Sequence, residues 1–105
     1  MSVKPTVAFS IAGAISSYQG LRTIRDSGGN AYAASDEEIL EAQRLLAVRE
    51  GIFAESSSAA SVAVAKKMAE EKHLDRNELA VYVVTSSGLK NTGAPKKTFR
   101  EFCRP

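Results

Sequence analysis

Apolar positions in this chain follow two patterns, one repeating at helical spacing and one continuous. The helical pattern is clearest after residue 35. Ser35-Asp36-Glu37-Glu38 forms a capping box, in which the serine hydroxyl and the glutamate carboxylate each satisfy a free backbone amide of the other residue. Asp36 and Glu37 add negative charge where the helix dipole favours it. Ile39, Ala42 and Leu46 then recur on one face, with Leu45 and Val48 beside them, and Gly51 supplies a stop, so the spacing predicts a helix over 36–50. A second helix is predicted from Ser57 or Ser58 to about Glu71. Its face of Ala59, Ala60, Val62, Ala63, Val64, Ala65 and Met68 is small enough for close approach to a neighbour. Nearer the start, Ser16 or Ser17 caps a short helix carrying Leu21 and Ile24, which Gly28-Gly29 ends.

The continuous pattern is LAVYVV, Leu79 to Val84, which suits a strand buried on both faces of a parallel sheet. Residues 5–11 (PTVAFSI) and 31–34 (AYAA) are shorter strand candidates, and Leu74 to Glu78 is a connection. A tail begins at Pro95, where Phe99 and Phe102 are spaced to dock one helical turn. The order strand, helix, strand, helix, helix, strand, tail predicts an α/β fold: one domain over 1–105, a small parallel-sheet layer with packed helices. In such sheets ligands sit beyond the carboxyl ends of strands, which points to Thr85-Ser86-Ser87-Gly88.

Composition narrows the function classes. With 105 residues, 44% hydrophobic and 25% charged, the chain has the make-up of one globular domain rather than a disordered segment. No apolar run approaches the roughly 20 residues that cross a bilayer, so no membrane role is expected. Met1 to Pro5 lacks a secretory pattern, and the single cysteine, Cys103, cannot close an internal disulfide; a cytoplasmic setting is expected. A net charge of +2, no tryptophan, and basic residues that cluster only as the pairs Lys66-Lys67 and Lys96-Lys97 argue against a nucleic-acid partner.

Few residues carry obvious chemistry. His73 reads as a solvated helix-end residue, and no second histidine or cysteine lies near enough in sequence to suggest a metal site. Cys103, two residues from the end, reads as a free thiol, since a catalytic one would need a nearby base. No G-x-S-x-G elbow is present. Ser56-Ser57-Ser58 reads as a helix N-cap, with an anion site as the functional alternative. Ser27-Gly28-Gly29-Asn30 reads as a helix stop. Ser87-Gly88-Leu89-Lys90 and Asn91-Thr92-Gly93 offer amides and a lysine to a phosphate, without P-loop spacing.

Three linked runs resemble the threonine synthase family. They are TVAFSIAGAISSYQGLRTIRDSGG, SDEEILEAQRLLAVREGIFAESSSAASVAVAKKM and VYVVTSSGLK, which together span about residues 6–90 in order and without large gaps. The resemblance implies a pyridoxal-phosphate (PLP) dependent enzyme of fold type II, related to the tryptophan synthase β chain. The matched piece would be the C-terminal part of its larger, cofactor-holding domain. The family's chemistry is a lyase reaction of amino-acid biosynthesis, turning O-phosphohomoserine and water into threonine and phosphate. Its ring-nitrogen threonine falls on Thr85, so Thr85, Ser86, Ser87 and Gly88 are the implied cofactor-binding residues. A neutral hydroxyl there leaves the ring nitrogen largely unprotonated.

The departures also matter. The family glycine after that threonine is Ser86, its next residue is Ser87, the proline after Glu55 is Ser56, and an Arg-Ile-Gly-Asn-Pro stretch is Ala12-Gly13-Ala14-Ile15-Ser16. The Schiff-base lysine and the main phosphate loop belong to segments the resemblance does not reach. Lys4, followed by Pro5, lacks the surrounding motif, so no catalytic residue is assigned. Two functions follow as expectations. One is a fragment or subunit of a threonine-synthase-like lyase, inactive without a portion that bears the lysine. The other is a non-catalytic ligand-binding or oligomerisation module derived from that enzyme. The apolar helix over 59–69 and the short sheet also predict a homo-oligomer when the chain is alone.

Overall fold

A computed structural model describes residues 5–93. Its core is a pair of packed helices. We label α1 Tyr18–Asp26, α2 Asp36–Glu50 and α3 Ser56–Glu70; short 3-10 turns lie at Phe9–Ile11 and Gly88–Lys90.

Helix α2 begins and ends where the sequence places it. Both arms of the capping box form: the Glu38 amide donates to Ser35 Oγ at 3.2 Å, and the Ser35 amide donates to Glu38 Oε2 at 2.7 Å. Gly51 ends α2 in the left-handed region, φ 68°, where a Cβ would be strained. The chain then needs only residues 51–55 to turn back into α3. Gln43, 1% exposed, fastens this connection by donating from Nε2 to the Ala54 carbonyl at 2.6 Å. Ile39 and Ala42 of α2 pack on Ala59 and Ala63 of α3, with Ala8 closing one side and Leu46, Ala60 and Val62 at the rim. Small residues on α3 let the two helices approach closely, as their pattern predicts. Helix α3 starts at Ser56, slightly earlier than expected. Its N-cap residue is Glu55, and no side chain makes the cap hydrogen bond.

The N-terminal segment lies against this pair. The Asp36 carboxylate, besides favouring the start of α2, accepts from the Val7 amide at 3.1 Å and from the Thr6 hydroxyl. Helix α1 has the expected serine cap, with the Gly20 amide donating to Ser17 Oγ at 3.1 Å. Gly28 follows it at φ 67°. No residue of α1 is buried.

No strand forms among the described residues. Within 5–11 the chain forms a 3-10 turn at Phe9–Ile11, and 31–34 has no regular structure. Residues 79–84 also form no strand, with Leu79 94%, Val81 82% and Val83 70% exposed. A strand meant to be covered on both faces needs neighbouring strands, and residues 5–93 provide none for it. The one β-type contact is an isolated antiparallel bridge between Ala54 and Ser87. No helix among the described residues is long and apolar enough to cross a membrane. Lys4, Pro95, Lys96, Lys97, Phe99, Phe102 and Cys103 lie outside the described residues.

Candidate functional site

The run 79–84 leads into Thr85 at the start of α3, and the following residues are zipped onto the α2–α3 connection. The Glu55 amide donates to the Ser86 carbonyl at 2.9 Å, and the Gly88 amide donates to the Phe53 carbonyl at 2.8 Å. The Ala54–Ser87 bridge lies between these two bonds. Gly88 is buried, and a Cβ there would stand 2.6 Å from the Phe53 ring, so the loop lies this close only because residue 88 has no side chain. Ser87 caps the Gly88–Lys90 turn, its Oγ accepting from the Leu89 amide at 3.3 Å.

Ser58, on the first turn of α3, connects the helix to Thr85. It is 5% exposed, and its Oγ accepts from the Ser86 amide at 3.1 Å and lies 3.1 Å from Thr85 Oγ1. Thr85 itself is exposed. One side of its hydroxyl is therefore anchored to a buried serine, while the residue faces outward. If Ser58 donates to Thr85, the Thr85 proton is free for an external acceptor.

A second cluster stands beside the first. Glu55, 2% exposed, accepts from the Ser10 hydroxyl and lies 3.5 Å from Lys90 Nζ. Lys90 Nζ also reaches Ser10 Oγ at 3.1 Å and sits 5.6 Å from the Phe9 ring centroid. The Ser10 amide donates to Ser57 Oγ at 3.2 Å. The Ser10 hydroxyl, foremost, holds the Glu55 carboxyl below its ordinary value; Ser86 and Lys90 act in the same direction, against burial. The start of α3 also favours the negative form.

These positions sort the sequence expectations. Thr85, Ser86, Ser87 and Gly88 do form one loop, with Thr85 outward and Gly88 inward. The serine run at 56–58 does not cap α3 through a side chain; Ser57 and Ser58 instead hold other segments. The 87–93 stretch is not an open phosphate cradle. The amides of Gly88, Leu89, Lys90, Asn91 and Gly93 are all spent on internal bonds, and Lys90 is engaged by Glu55. His73 is 56% exposed on its side chain, 3.6 Å from Glu71. Among the described residues no group of three or more His, Cys, Asp or Glu is placed to hold a metal ion. Sequence reasoning missed Glu55 and Ser10 and took Ser58 for a cap; the partners of all three are distant along the chain. The available signal was a glutamate and serines directly before and within a helix start.

Comparison with known proteins follows the same residues. The family described as "Pyridoxal-phosphate dependent enzyme" matches residues 1–86. Threonine synthase of Methanocaldococcus jannaschii is 45% identical over 94 residues, 90% of this chain and 23% of that protein. Threonine synthase of Methanosarcina acetivorans is 42% identical over 84 residues, 80% of this chain and 21% of that protein. Threonine synthase of Bacillus sp. (strain ULM1) is 48% identical over 65 residues, 62% of this chain and 18% of that protein. The chain thus spans less than a quarter of the length of each of these relatives.

Proposed function

The chain belongs to the pyridoxal-phosphate dependent enzyme family, and from that membership we propose that it supplies one wall of a PLP site in a threonine-synthase-type lyase. The observation that carries this reading is Thr85: an exposed residue at the end of the 79–84 run, its hydroxyl backed by buried Ser58. Such a group suits the pyridine nitrogen, a neutral acceptor. A ring-nitrogen lone pair requires Thr85 to donate, which in turn makes Ser58 the donor to Thr85. The Ser86 amide then completes a directed relay into Ser58. Bound PLP supplies an electron sink, weaker when its ring nitrogen carries no proton. A hydroxyl holds the nitrogen in that state, because it is too weak an acid to protonate it.

Ser86, in place of the family's glycine, is compatible with this arrangement. Its amide and carbonyl are both turned to α3 and its cap. The residues that would hold the cofactor phosphate and form the covalent link to it are assigned to the part of the relatives that this chain does not span. That part is the proposed partner, and the substrate class is O-phosphohomoserine. Its arrival would also give LAVYVV the neighbouring strands that a parallel-sheet layer requires. A cytoplasmic setting belongs to this proposal.

The test is reconstitution. The chain is mixed with a polypeptide comprising the remaining portion of a threonine synthase, and the visible absorbance of bound PLP is recorded. Expected is a spectrum that depends on the chain and changes with Thr85→Val. A spectrum indifferent to Thr85 defeats the reading. A second reading, self-association without catalysis, is favoured by one observation: Ile15, Tyr18, Leu79 and Val81 are 89%, 74%, 94% and 82% exposed. Sedimentation of the chain alone separates the two, since a stable homo-oligomer that refuses the partner supports the second.

A further inference from the structure

We propose that Glu55 is a positioning residue for Thr85: its buried carboxylate, joining Ser10 to Lys90, locks the 85–90 loop on the start of α3. The inference rests on the reading of Thr85 given above. Glu55 grips the loop at both ends. Its amide holds the Ser86 carbonyl at 2.9 Å, and its side chain holds Lys90 at 3.5 Å. Among the described residues the Thr85 side chain is held by Ser58, at 3.1 Å, and Ser58 also carries the Ser86 amide. Any slip of the loop along residues 53–55 therefore moves Thr85 away from Ser58.

The choice of a charged residue fits this role. A carboxylate offers about four acceptor sites, enough for a hydroxyl and an ammonium together. A leucine would occupy about the same buried space and hold neither, and an alanine would leave it partly empty. The Glu55 side chain is 3% exposed while that of Lys90 is 53% exposed, so the anion is fixed and the long cation is drawn to it. Lys90 is oriented further by the face of Phe9. Ser10 extends the lock to the N-terminal segment, which its own amide ties to Ser57 of α3. Three stretches far apart in sequence, around residues 10, 55 and 90, are held by one carboxylate.

The test is residue-resolved amide hydrogen exchange on the full chain, comparing wild type with Glu55→Ala, Glu55→Gln and Lys90→Met. The reporters are the Ser86 and Gly88 amides; the controls are Ala42 and Ala63, inside α2 and α3. Glu55→Ala is expected to speed exchange at Ser86 and Gly88 at least tenfold, with Ala42 and Ala63 within twofold. Glu55→Gln keeps an acceptor for Ser10, so it should restore part of the protection, and Lys90→Met should match it. If Glu55→Ala fails to fold, the other two variants carry the comparison. An unchanged loop, or an equal rise at reporters and controls, overturns the proposal. None of these readouts involves the cofactor. A negative result here leaves Thr85 as a cofactor ligand intact, and an unresponsive PLP spectrum leaves the lock intact.

Discussion

Replacing Gly88 by alanine tests how closely the loop is seated on the connection. The new Cβ would lie 2.6 Å from Phe53 Cε1 and 2.7 Å from Cδ1 and Cζ, whereas ordinary carbon contacts are about 3.5–4.0 Å. Gly88 is not in the left-handed region, so the cost is steric and not one of backbone conformation. Roughly 1 Å of separation is needed, by one of two routes. If the loop lifts by that much, the 2.8 Å bond from the Gly88 amide to Phe53 lengthens past the useful limit of about 3.2 Å. If the ring turns instead, it leaves its rotamer at about 0.5–1.5 kcal/mol. Overpacking of this kind typically costs about 1–3 kcal/mol. Urea unfolding followed by far-UV circular dichroism measures it; with a slope of about 2 kcal/mol/M, the midpoint should fall by roughly 0.5–1.5 M. Phe53→Leu opens the space, so in that background Gly88→Ala should cost less than about 0.5 kcal/mol. A cost below that value with Phe53 present, or an equal cost in both backgrounds, would refute the reasoning.

Two further predictions follow from the core and from Glu55. Ile39, 4% exposed between α2 and α3, should lose about 2–5 kcal/mol on truncation to alanine and about 0.5–1.5 kcal/mol to valine, by the same urea assay. The Glu55 carboxyl is held below its ordinary value of 4.5, so it contributes stability that is full above that value and is lost as pH falls through its lower folded value. The urea midpoints of wild type and Glu55→Gln should therefore converge as pH drops below about 4.5, and carboxyl carbon NMR should place the Glu55 midpoint beneath it. A gap that widens on acidification would contradict this sign.

What the sequence disclosed depended on range. Helix α2 was legible to the residue, because a capping box, a helical repeat and a glycine stop are all local signals. The small-residue face of α3 likewise announced close packing, and the resemblance marked Thr85 to Gly88 as one loop. The Glu55 cluster was not legible, since nothing local pairs residue 55 with residues 10 and 90. Ser58 was read as a cap because serine favours that position, yet tertiary contact with Thr85 and Ser86 redirected its hydroxyl. The strand pattern of residues 79–84 states what that segment would bury, but strand formation also depends on neighbours, and residues 5–93 supply no ladder for it.

The central claim, that Thr85 presents its hydroxyl to a PLP ring nitrogen, is tested most directly by the visible spectrum of PLP. It would be recorded in the chain reconstituted with the remaining portion of a threonine synthase, comparing wild type, Thr85→Val and Thr92→Val. The account predicts that Thr85→Val alone shifts the absorbance of bound cofactor, while Thr92→Val, the same exchange at an exposed position, leaves it unchanged. Identical spectra from all three would contradict it.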